Sequence, residues 1–91
     1  MFAIITKQVR VIVGPAEAAV RYAQRHKLVH DEYEIVTDPQ TLHRMDPPTI
    51  AEIVLLPTAR HSIPKQVFRE IRAEIEDLKR LWHTRVHVAL S

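Results

Sequence analysis

Apolar positions change period several times along this chain, and each change marks an element. The run Val9-Arg10-Val11-Ile12-Val13 reads as a buried strand, and Phe2-Ala3-Ile4-Ile5-Thr6 reads as its extension in preference to a separate edge strand. Over residues 15–27 the period becomes helical. Ala16, Ala19, Val20 and Ala23 fall on one face, while Glu17, Arg21, Gln24 and Arg25 turn away from it. Alanines let a helix lie close to a sheet; Glu17 suits the positive end of that helix, and Arg25, His26 and Lys27 suit its negative end. Residues 33–37 (Tyr-Glu-Ile-Val-Thr) read as a second strand. Asp38-Pro39 ends it ahead of a short helical turn through Leu42 and Met45, which Asp38 is placed to cap.

After the rigid Asp46-Pro47-Pro48, residues 50–56 read as a third, central strand closed by Pro57, and residues 58–62 as a loop. Pro64 opens the longest helix, with a core stripe of Val67, Phe68, Ile71, Ile75, Leu78 and Trp82. Its outer face carries Arg72, Glu76 and Arg80 at pairing distance. Residues 85–90 alternate Val86, Val88 and Leu90 with Arg85, His87 and Ala89, the pattern of a half-exposed edge strand. The β-α-β-β-α-β series predicts one small three-layer α/β domain over residues 1–91, with two main helices and one short helical turn. Right-handed crossovers then give a four-stranded, mainly parallel sheet of order 2-1-3-4.

Composition narrows the chemistry. The 91 residues contain no cysteine, which leaves packing alone to hold the core and removes thiol catalysis. No apolar run approaches the about 18 residues of a membrane span, so the expectation is a cytoplasmic protein without a membrane partner. Thirteen Lys and Arg stand against eleven Asp and Glu. The basic residues are spread along the chain and interleaved with acids, which argues against nucleic acid as a partner.

The single glycine, Gly14, ends the first strand immediately before Pro15. One glycine excludes both the dinucleotide-binding and the P-loop fingerprints. The predicted C-terminal edge of the sheet nevertheless collects Gly14, Glu17, Thr37, Asp38, Thr58, Arg60, His61 and Ser62, the candidate ligand-binding set. In a nucleotide reading, helix starts after Gly14 and Ser62 would face phosphate, Asp38 would accept from ribose hydroxyls and Arg60 would supply a planar cation. Each residue also has a structural use. Gly14 suits a tight turn, Asp38 and Ser62 suit helix caps, Thr37 and Thr58 suit strand ends, and Arg60 and His61 suit an exposed loop.

His26, His30, His43, His61, His83 and His87 lack metal-ligand spacing, and no H-E-x-x-H or G-x-S-x-G occurs, so no metal, cofactor or catalytic residue is expected. Glu70, Glu74, Glu76 and Asp77 fall on the solvent side of the long helix.

The stretches Val11-Ile12-Val13-Gly14, Ala19 through Leu28 with Tyr22, Ala23 and His26, Tyr33 through Pro39, Leu42 and Val54-Leu55-Leu56 resemble a group of small uncharacterised α/β proteins of phages that infect actinobacteria. The apolar start before Val9 and the strand after Trp82 go beyond that group's pattern. The resemblance implies a miniature Rossmann-like domain in an infected bacterial cytoplasm and carries no assigned chemistry. Among function classes, protein interaction ranks first: docking on a host or phage protein, or self-association through residues 85–90 or 2–6. Small-ligand or nucleotide binding at the sheet edge ranks second, resting on Asp38 and Arg60. Nucleic-acid binding through Arg21, Arg25, Lys27 and Lys7 ranks third, and catalysis last.

Overall fold

Strand β1 (Val9–Val13) carries three consecutive residues, Val11, Ile12 and Val13, with no exposed surface, so both faces of the sheet must be covered where it runs. The computed structural model describes residues 8–89. The expected strand extension over residues 2–6 and the end of the expected last strand at Leu90 lie outside them. After β1 come α1 (Ala16–Arg25), β2 (Tyr33–Val36), α2 (Pro39–Arg44), β3 (Ile50–Leu55), α3 (Ala59–Ser62), α4 (Lys65–Trp82) and β4 (Val86–Val88), with 3₁₀ turns at His30–Glu32 and Pro47–Thr49. The four strands form one parallel sheet of order β2-β1-β3-β4, as the crossover rule predicts.

Two apolar clusters flank the sheet. Ile12, Val54 and Leu56 pack with Ala19, Tyr22 and Ala23 of α1 on one face. Val11, Val13, Val36 and Ile53 pack with Leu42 of α2 and Ile71, Ile75 and Leu78 of α4 on the other. A register shift on β3 makes this possible: Val9 pairs with Ile50 but Arg10 pairs with Glu52, leaving Ala51 as an extra, exposed residue. That bulge brings Ile50 and Ile53, three apart, into the same cluster, which strict alternation would forbid.

Four local expectations are corrected. The buried stripe of α1 is Ala19, Tyr22 and Ala23, whereas Ala16 and Val20 are exposed, because the Tyr22 ring supplies the area that turns this helix toward the sheet. Residues 59–62 form a helical turn rather than a loop, closed by the Ile63 amide donating to the Ala59 carbonyl at 3.0 Å. On α4 the ion pairs run at spacing three, Arg80 to Asp77 at 3.0 Å and Lys79 to Glu76 at 3.8 Å, in place of Glu76 with Arg80. Trp82 is 54% exposed and outside the core. The cause is length: the 18 residues of α4 span about 27 Å. The six residues of β3 span only about 20 Å, so the last helical turn runs past β3.

Turns are closed by backbone geometry. Lys27 is left-handed at φ 56°, with its amide donating to Gln24 O at 3.1 Å and the Leu28 amide to Ala23 O at 2.8 Å, a Schellman stop for α1. Gly14, by contrast, has no positive φ; its lack of a side chain serves close packing, since a Cβ there would sit 2.8 Å from Leu56 Cδ1 and 3.1 Å from Leu56 Cβ.

Two stability changes follow, both readable as shifts of the urea midpoint at constant m-value. Gly14→Ala destabilises the protein by about 1–3 kcal/mol through overpacking against Leu56. Lys27→Gly stabilises it by about 0.5–1 kcal/mol, because glycine relieves the left-handed strain at some cost in chain entropy.

Candidate functional site

In a parallel sheet all strands end at one edge, and the turns after β1, β2 and β3 therefore share it. The expected site residues lie along this edge, but their side chains are spread among separate tasks. Gly14 is filled against Leu56, and its amide donates to Val36 O at 3.3 Å. Glu17 is exposed in the first turn of α1, and Thr37 is exposed after β2.

Asp38 caps α2. Its Oδ1 accepts from the Thr41 amide at 2.8 Å, and the Thr41 hydroxyl reaches both carboxylate oxygens at 3.0 Å. The Thr41 amide, and then the Thr41 hydroxyl, hold the Asp38 carboxyl below its usual range. Because β1 stands between β2 and β3, Asp38 is separated by a whole strand from Thr58, Arg60, His61 and Ser62. Ser62 does not cap α4; Pro64 occupies that position, and no side chain caps the helix.

Two concavities meet at the end of β3. On the α1 side a cavity of about 150 Å³ lies between Arg21, Tyr22 and Arg25 of the helix and Leu56, Pro57 and Thr58 of the strand end. On the α4 side one of about 260 Å³ is lined by Pro57, Arg60, His61, Phe68, Arg72 and Val88. The sequence reading therefore reached Thr58, Arg60 and His61 and missed the residues around them. A signal was present: Ala18, Arg21, Tyr22 and Arg25 share one helical face, as do Lys65, Arg69 and Arg72.

Lower on the α1 face, where that helix no longer covers the sheet, the strands carry charge. Arg10 Nε lies 3.0 Å from Glu52 Oε1, and His87 Nδ1 lies 3.6 Å from Glu52 Oε2. These polar groups are what an uncovered part of a sheet requires in contact with water. Burial, followed by repulsion from Glu52, raises the Tyr22 hydroxyl above its usual range, and its ring stacks on His26 at 4.1 Å. His43 links α2 to α4 through Glu74 at 3.2 Å. Among the described residues no Asp, Glu, His, Lys or Arg is buried, and no group of three or more potential ligands is placed to hold a metal ion. No described helix is long and apolar enough to cross a membrane.

No family model, curated protein or solved structure matches this chain.

Asp38 gives a pH-dependent prediction. A carboxyl with a depressed folded pKa stabilises the fold above its unfolded pKa, and this stabilisation disappears as pH falls through the folded pKa. Asp38→Ala will lower the melting temperature at pH 7, and the gap from the unsubstituted protein will close as acid protonates the carboxylate. Thermal melts at a series of pH values measure both.

Proposed function

We propose that this protein acts by docking on another protein in the cytoplasm of a phage-infected bacterium, without catalysing a reaction. The observation that carries the reading is an adjacent pair of exposed apolar side chains at the end of α4, Leu81 at 65% and Trp82 at 54% exposure. Amphipathic helices normally turn such residues inward, and tryptophan is the residue type most enriched among the contacts that dominate protein interfaces. The excess length of α4 over β3 presents both side chains outside the described core.

The free side of β4 adds to this surface. Arg85 O accepts from the Ile53 amide at 2.8 Å and the Ala89 amide donates to Leu55 O at 2.9 Å, so the backbone groups of Val86 and Val88 point away from β3. Among the described residues no strand pairs with them. A partner that covers Trp82 can extend along this edge by strand addition. The strand is only three residues long and contributes less than the apolar pair.

Trp82 is the only tryptophan of the chain, which makes its emission a direct report of docking. Proteins retained from an actinobacterial lysate by the unsubstituted chain should be lost with Leu81→Ser/Trp82→Ala, and each purified partner should shift the Trp82 emission to the blue. Both residues are exposed, so the double variant should keep its urea midpoint within about 0.5 kcal/mol of stability. Retention of the same proteins by the variant, or unchanged emission at saturating partner, would overturn the reading.

A further inference from the structure

Cations that neighbour one another in sequence, on α3 and the first half of α4, converge around one aromatic ring. Arg60 of α3 and Lys65, Arg69 and Arg72 of α4 surround the half-buried ring of Phe68 in a depression of about 450 Å³. All four are exposed, and none has an ion-pair partner among the described residues. The position is electrostatically adverse for folding. Lys65 stands in the first turn of α4, where backbone amides already make the helix end positive, and that turn has no acidic residue and no side-chain cap. A local choice that opposes its own fold indicates selection for something other than stability.

This depression shares Arg60, Phe68 and Arg72 with the 260 Å³ cavity, which in turn shares Pro57 with the cavity holding Arg21 and Arg25. The cations therefore form a track over the C-terminal edge of the sheet, running from α4 to α1. Of the acids on this side, Glu17 is exposed in the first turn of α1, Glu70 accepts from Gln66 at 3.3 Å, and Asp38 lies across β1, engaged by Thr41; among the described residues none of them is ion-paired to a cation of the track. Glu74, Glu76 and Asp77 lie in the C-terminal half of the same helix, toward the opposite end of the molecule.

We infer that this track binds single-stranded nucleic acid, with phosphates on Arg60, Lys65, Arg69 and Arg72 and a base against Phe68. The inference is independent of the docking surface at Trp82. A regular polyanion matches cations strung along an edge, and an unpaired base has a free face for an aromatic ring set among guanidinium groups. An acidic protein would satisfy the charge but makes no particular use of the ring's position.

The test is fluorescence anisotropy of a labelled oligothymidine at several salt concentrations, with polyglutamate and inorganic polyphosphate as competitors. Four phosphate contacts predict a slope of log K against log salt near about −3, and Arg69→Ala or Arg72→Ala should each reduce its magnitude by about 0.7. Phe68→Leu should weaken oligothymidine binding about ten-fold while leaving polyphosphate binding unchanged. Arg80→Ala, outside the track and paired with Asp77, should have no effect. The arginine variants alter only exposed side chains, so they test the track even if Phe68→Leu unfolds. Absence of binding at low salt, competition by polyglutamate as strong as by oligothymidine, or equal losses from Arg80→Ala and Arg69→Ala would each overturn the inference.

Discussion

The burial of β1 on both faces is the constraint from which the rest of this structure follows. Val11, Ile12 and Val13 have no exposed surface, and β1 pairs with β2 on one side and β3 on the other. A strand enclosed in this way needs helices above and below it, which the chain supplies through parallel crossovers. Parallel pairing then sends every strand end to the same edge. The close approach of Gly14 to Leu56 is the local cost of that arrangement, since two strand ends leave their sheet side by side with no room for a Cβ. Strand order, layers and the position of the basic track are thus consequences of one apolar pentapeptide finding partners on each side.

Much of this was legible in the residues. The largely apolar runs of β1 and β3, the Gly14-Pro15 and Asp38-Pro39 junctions and the alternation in β4 indicate the element types, and crossover handedness then gives the strand order. Periodicity left rotations and lengths open. Ala16 and Val20 match a helical face as well as Ala19 and Ala23 do, and only the size of Tyr22 decides which face turns inward. Trp82 continues the stripe of Ile71, Ile75 and Leu78 without error in the pattern, yet the helix is longer than β3 and Trp82 is exposed. The β3 bulge is likewise invisible in a run where nearly every residue is apolar.

The candidate site was legible only as an edge. Thr58, Arg60 and His61 lie where the topology put them, but an edge collects loops from strands that are not neighbours, and Asp38 ends on the far side of β1 from Arg60. The capping chemistry of Asp38 was readable because it is local, reaching Thr41 three residues on. The convergence of Arg21 and Arg25 with Arg60 and Arg72 was not, because it depends on α1 and α4 flanking the same strand end from opposite faces. Uniform dispersion of charge along a chain says little about its dispersion over a surface.

The resulting molecule is polarised. One end carries cations around Phe68 that have no ion-pair partner among the described residues, and the other presents Leu81 and Trp82 on the last turn of α4. Both surfaces are peripheral to an anchored β1, and amide hydrogen exchange measured residue by residue tests that division most directly. Val11, Val13, Ile53 and Val54 should exchange only through global unfolding, whereas the outward amides of Val86 and Val88 should exchange orders of magnitude faster. Protection of Val86 and Val88 equal to that of β1, or rapid exchange within β1, would contradict a sheet built around β1 whose β4 edge is unpaired among the described residues.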